Sequence, residues 1–236
     1  IYSAHWDAFG IGEPDAAGDA VRHGAVDNAT GVAAVIELAR VFAAGPRPQR
    51  TLLFMALTAE EKGLQGATFY AAKPLMPLAK TAAVLKIEML SPDGPMRDIA
   101  SWGKGRVSLE NDLKRVAEAH GRTYSPDPNL EAGFFYRADH FAFARAGVPA
   151  ITVGAGLDRI DGGVASGRAL RDAYFARCYH QPCDAWTASW DARGQAQDVA
   201  LLYALGREIA DSDAWPHWLN GSEFKAVRER SETERK

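Results

Sequence analysis

Seven side chains able to hold a cation or move a proton stand out by type and spacing. His5 and Asp7 lie two apart in HWD, Asp27 sits in GAVDNATG, Glu60 and Glu61 are adjacent in TAEEKG, Glu88 follows VLKI, and His180 lies in YHQPCD. Along an extended segment, residues two apart share one side. Asp7 can therefore orient the His5 imidazole and set its tautomer, as metal-bound histidines require. Asp27 has a competing role as the N-cap of the following helix, but Asn28 can do that capping and release the Asp27 carboxylate. Glu60 and Glu61 close an apolar run, although two adjacent carboxylates repel and each is costly to remove from water. One account makes Thr58 a helix cap, with both acids at the positive helix end. The other is chemical: one carboxylate holds a metal while its neighbour handles a proton.

Taken together, two imidazoles and several carboxylates suit zinc, with cobalt or manganese also tolerated. One zinc needs about three protein ligands plus water. Five candidate ligands (His5, Asp27, Glu61, Glu88 and His180) with Glu60 to spare point instead to two ions roughly 3.5–4 Å apart, sharing a carboxylate and a water.

Such residues need elements to bring them together. IYSA (1–4), TLLFMALT (51–58), AAVLKIEML (82–90) and PAITVG (149–154) read as buried strands. Residues 29–44, 63–72, 107–120, 139–146 and 194–211 carry helical patterns, the first ending at Gly45 and Pro46. This alternation predicts an α/β fold: a three-layer α/β/α sandwich around a mixed, mostly parallel sheet. Sheets of this kind place their sites beyond the carboxyl ends of the strands. Three predicted strands end there in His5 and Asp7, in Glu60 and Glu61, and in Glu88. With no repeat and no linker, residues 1–236 are expected to form one domain, with 222–236 as a charged tail and Lys225–Lys236 as a solvated helix end.

Composition narrows the function classes. The 236 residues are 47% hydrophobic and 24% charged, enough for a full core. A net charge of −3 leaves no basic footprint for nucleic acid, and no apolar run is long enough to span a membrane. The chain starts at Ile1 in what reads as the end of a strand, so upstream sequence, including any signal peptide, is expected to precede it. Cys178 and Cys183 allow a short disulfide, half of a zinc site, or two free thiols.

The series SAHWD, GAVDNATG, TAEEKGLQG, IEML, RADHFAFARAGVPAI and YHQPCD resembles the co-catalytic zinc exopeptidases, in the family's order over roughly residues 1–210. That family includes secreted bacterial aminopeptidases and glutamate carboxypeptidases, with glutaminyl cyclases as relatives. The resemblance implies two zinc ions, a bridging Asp27, further ligands His5, Glu61, Glu88 and His180, and Glu60 as general base. It also implies Asp7 orienting His5, Tyr179 donating to the oxyanion, peptide substrates, and a periplasmic or secreted location. Phe134, Phe135, Tyr136 and Arg137 are its candidate pocket residues, although they read equally as core aromatics. Glu131 or Asp139 could meet a substrate amine, and Arg137 a substrate carboxylate. His140 is not expected to be a ligand, and His23, His120 and His217 read as surface or cap residues.

Two positions depart from the pattern. The family usually reads N-x-D at the third strand end, where this chain has Lys86-Ile87-Glu88, and it often carries a second histidine at the position of Ala8. Lys86 shares a strand face with Glu88, so an ammonium faces a metal ligand. Aminopeptidase action is favoured over carboxypeptidase action. The alternatives are a catalytically silent binding domain and a single-zinc cyclase-like transferase, and the oligomeric state is left open.

Overall fold

The computed structural model describes residues 1–127 and 130–235. Its strands are β1 (Tyr2–His5), β2 (Gly10–Ile11), β3 (Val21–Arg22), β4 (Phe54–Leu57), β5 (Val84–Ile87), β6 (Asp98–Trp102), β7 (Thr123–Ser125) and β8 (Ala150–Ala155). Its helices are α1 (Thr30–Ala44), α2 (Gln65–Ala72), α3 (Leu109–Ala119), α4 (His140–Arg145), α5 (Gly163–Arg177), α6 (Arg193–Asp211) and α7 (Lys225–Arg230). Six strands form one sheet in the order β4-β1-β5-β8-β6-β7, parallel throughout except at the β8–β6 pair. β2 and β3 make a separate exposed ribbon. The predicted α/β sandwich is therefore present. β6, β7 and α5 were not foreseen: the two strands are short and mixed in polarity, and α5 buries only Gly167.

The two faces of the sheet differ in chemistry. Tyr2, Ala4, Leu85, Ile87, Ile151 and Val153 point to one side and join the main core with α1, α3 and α6. Tyr2 reaches deep enough to donate its hydroxyl to the Leu202 carbonyl at 2.6 Å. That contact requires glycine at position 206, because a Cβ there would overlap the tyrosine oxygen. On the opposite face, Val84 and Ala150 pack with Ala67 and Tyr70 of α2 and with Ala142 and Phe143 of α4. Two residues further along the same strands, that face turns polar. Ser3, Lys86 and Thr152 lie side by side in register, fully buried beneath α4. The main core stabilises the sheet at about 25 cal/mol per Å² of apolar surface removed from water. The polar row prepares its carboxyl end for charge.

The tail differs from a fully solvated helix end. Phe224 joins the core, and Arg228 is buried, donating to the carbonyls of Leu78, Ala79 and Thr81. The guanidinium adds donors to the carbonyls of a distant turn, a tertiary role that a charged stretch does not advertise. Lys236 lies outside the described residues.

His140, under the polar row, shares a 2.6 Å hydrogen bond between its Nδ1 and the Thr152 hydroxyl. Burial, assisted by the positive charges of Lys86 and Arg106, pushes its pKa down to about 3. In the unfolded chain the same imidazole titrates near 6.5. Between those values the unfolded state binds a proton that the native state refuses, so stability falls as pH drops, by about 1.4 kcal/mol per unit at most. His140→Gln should flatten the fall in Tm of the metal-free protein between pH 6.5 and 4.5; identical slopes in the two proteins would contradict this.

Candidate metal centre

β1 ends at His5, which is buried at the sheet's carboxyl edge. Its Nδ1 lies 3.0 Å from the Asp7 carbonyl, an acceptor, so that nitrogen carries a proton and Nε2 is left to face the carboxylates. Nε2 lies 3.1 Å from Asp27 Oδ1 and 3.2 Å from Glu88 Oε1. Burial pulls the His5 pKa down, but the neighbouring Asp27 and Asp7 outweigh it and hold it at about 9. The orientation expected of the Asp7 side chain comes chiefly through its backbone, since Oδ1 stands 3.7 Å from Nδ1. The Asp7 carboxylate instead accepts the backbone N–H groups of Glu60 at 3.0 Å and Glu61 at 3.2 Å.

Asp27 lies where the chain enters α1. Its Oδ2 is 3.3 Å from His180 Nε2, so one carboxylate stands between two imidazoles. Burial disfavours its charge, but His180 and His5 outweigh that and hold its pKa far below the carboxylate range. Asn28 does take over the local capping. Its Oδ1 accepts from the Gly31 and Met89 N–H groups, while its Nδ2 donates to the Ile87 carbonyl at 2.9 Å, tying α1 to β5. Asp184, which the sequence did not single out, accepts the Val26 and Asp27 N–H groups at 2.8 and 3.1 Å and the Tyr174 hydroxyl at 3.1 Å. It sits inside the YHQPCD motif, but the backbone groups that it holds lie more than 150 residues away, so spacing carries no signal of it.

Glu60 and Glu61 occupy the turn between β4 and α2, which opens with Ala59 in the left-handed region (φ 54°). They lie before the helix rather than in its first turn, so the capping account of the pair does not describe them. Glu61 Oε2 is 3.3 Å from His180 Nε2, and Glu61 Oε1 is buried without a partner. Burial, against the pull of Lys86 and His5, pushes Glu60 up to about 7. His180 itself has a left-handed backbone (φ 61°). Its pKa is held at about 9, since Asp27 and Glu61 outweigh partial burial. The ring of Tyr179 stacks on His180 with centroids 3.6 Å apart, and burial beside Asp27 and Glu61 holds its phenol protonated.

Three residue sets bring one ligand atom each within 4.8 Å of one another: His5–Asp27–Glu88, Asp27–Glu61–His180 and His5–Glu60–Glu61. The first two share Asp27. Glu61 Oε1 is buried without a hydrogen-bond partner, and His180 Nε2 faces carboxylate oxygens of both Asp27 and Glu61 at 3.3 Å, an arrangement in which one cation could take all three residues as ligands. These nitrogen and carboxylate ligands fit a divalent metal such as zinc.

Residues 1–204 match the profile of peptidase family M28. The chain belongs to that family. A probable zinc metalloprotease of Pyrenophora teres f. teres is 33% identical over 140 residues, covering 52% of this chain and 30% of its own length. A probable glutamate carboxypeptidase of Arthroderma benhamiae is 27% identical over 233 residues, covering 92% of this chain and 29% of its own length. The M28 chain thus spans about a third of the curated relatives it matches. Among solved structures, an aminopeptidase of Legionella pneumophila has a TM-score of 0.65 at 17% identity, with 90% of this chain and 50% of that one covered. A glutaminyl cyclase of Bacteroides thetaiotaomicron has a TM-score of 0.60 at 15% identity, covering 90% and 72%. These likenesses establish the zinc-exopeptidase fold.

In this M28 chain a cavity of about 760 Å³ opens beside Glu88, with Met89, Trp102, Phe134, Tyr174 and Phe175 in its wall. Of the expected pocket residues, only Phe134 lines it. Phe135 is core, packed on Phe224 and His140. Tyr136 is exposed and bonded to Glu223 and Arg106, and Arg137 lies over the Phe134 ring. Glu131 is exposed, whereas Asp139 is fully buried behind the centre. His23 and His217 are exposed, and His120 ends α3 against the Val116 carbonyl. Cys178 and Cys183 form a disulfide that closes the loop carrying His180.

Asp184 shapes the centre only by holding the Asp27 backbone, so its loss should act through ligand placement. Asp184→Ala is expected to weaken zinc binding roughly 10–100-fold, read by competition with a chromophoric chelator. An unchanged affinity would mean that Asp27 is held without it.

Proposed function

We propose that this M28 chain is a zinc-dependent exopeptidase, specifically an aminopeptidase that releases N-terminal residues from peptides. The observation that carries this reading is the Asp27 carboxylate standing between His5 and His180, with Glu60 at the same edge. His5, Asp27 and Glu88 would hold one zinc, and Asp27, Glu61 and His180 the other. Zinc bound there supplies Lewis acidity, polarising a carbonyl and making water a better nucleophile near neutral pH.

The chain's own groups do the rest. Glu60, backbone-anchored by Asp7 and poised near neutrality, takes the proton from the attacking water and returns it to the leaving amine. Tyr179, kept protonated beside the centre, donates to the developing oxyanion. Phe134 and Trp102 offer apolar wall to a substrate side chain. Beyond the residues that would hold zinc, the carboxylates of Glu60 and Asp7 lie at the same edge and favour a substrate ammonium over a substrate carboxylate. The disulfide suits an exported enzyme, in keeping with a periplasmic or secreted location.

Aminoacyl-anilides should be hydrolysed by the zinc-loaded protein, and their N-acetylated forms should not. Glu60→Gln should lower kcat roughly 10²–10⁴-fold while zinc content, measured by elemental analysis, stays at the wild-type level. Hydrolysis of N-acylated peptides from the carboxyl end would instead make it a carboxypeptidase. No turnover of either class by zinc-loaded protein would favour the silent binding domain.

A further inference from the structure

Lys86 is fully buried, and its ammonium makes direct ionic contact with Glu88 Oε2. The other Glu88 oxygen faces His5. One of the two ligand sets therefore already contains a cation, held by one of its own carboxylates. Among the described residues no ammonium or guanidinium is paired with the Asp27–Glu61–His180 set, whose carboxylates face only imidazole, His180 Nε2 lying 3.3 Å from both Asp27 and Glu61. Around Lys86 the alternatives for its ammonium are few. Thr152 is engaged with His140, and His140 is neutral. Of the carboxylates that act on Lys86 electrostatically, Asp139 acts most strongly, ahead of Glu60, Asp27 and Glu61; it is fully buried and both of its oxygens lack hydrogen-bond partners.

Resting on the metal-centre reading above, we propose that Lys86 makes the two zinc positions unequal: Asp27–Glu61–His180 fills first, and His5–Asp27–Glu88 fills only when Lys86 is displaced from Glu88 towards Asp139. The physical reason is charge at short range. A buried ammonium and a divalent ion attract the same carboxylate and repel each other, with little water between them to screen the repulsion. Asp139 is the counter-charge that makes the displacement feasible. Lys86 thus acts as a positioning residue through Glu88 and need not touch substrate.

The idea predicts opposite signs for two substitutions, which a merely structural role would not produce. Stepwise zinc binding to the metal-free chain, followed by calorimetry and chelator competition, should show a second step on the order of 100-fold weaker than the first. Lys86→Met should bring the second step to within about tenfold of the first. Asp139→Asn should weaken it further, since Lys86 then loses the strongest of its other counter-charges. Glu88→Gln should abolish the second step and spare the first, and His180→Ala should remove the tight one. Circular dichroism checks that each variant is folded; should Lys86→Met fail to fold, the wild-type steps and Asp139→Asn still decide. Two equal steps in wild type would overturn the inference alone, as would a Lys86→Met second step that is unchanged or weaker. No zinc binding by wild type would overturn it together with the metallopeptidase reading.

Discussion

Everything at the carboxyl edge of the sheet depends on one carboxylate, that of Asp27, standing between two imidazoles delivered from opposite ends of the chain. Around it Glu60, Glu61, Glu88 and Asp7 crowd into the same half-buried space. So much negative charge is unstable unless each group is given a partner. The structure supplies partners in three ways. Backbone N–H groups come to Asp7 and Asp184. Imidazoles come to Asp27, Glu61 and Glu88. A buried ammonium comes to Glu88.

The same need explains the two-faced sheet. One face is mainly apolar and holds the fold together through α1, α3 and α6. The other is apolar under α2 and α4 but polar one pleat later, at Ser3, Lys86 and Thr152. Parallel sheets buried on both sides usually read as unbroken hydrophobic runs. This one gives up apolar burial to place charge where the strands end, and the main core bears the cost. Lys86 is the extreme case, a residue type almost never fully buried without a partner, here paired with Glu88 and near Asp139.

The loop chemistry follows the same logic. His180 reaches Asp27 from a loop that the Cys178–Cys183 disulfide closes and that passes through a left-handed backbone at His180. Asp184, four residues on, binds the backbone of the Asp27 segment. Ligand and brace therefore come from one short stretch, and both act on the other end of the chain.

The sequence by itself determined the α/β class, four of the six main-sheet strands and five of the helices, because strand and helix periods are local and strong. It also pointed to the residues that could bind metal, His5, Glu60, Glu61 and Glu88 by their place at the ends of predicted strands, and Asp27 and His180 by their motifs. Only tertiary structure decided how they meet. Asp7 clamps the Glu60–Glu61 turn with its carboxylate and meets His5 with its carbonyl, a division of labour that spacing does not encode. Phe135 turned into the core while Phe134 turned to the cavity, because adjacent residues on a short helical turn face different ways. β6, β7 and α5 stayed hidden because their burial comes from neighbours distant in sequence. The consequence of Lys86 needed three dimensions too: its type was visible in the sequence, but only the packed sheet shows that it has Glu88 to bind, Asp139 nearby, and no exposure to solvent.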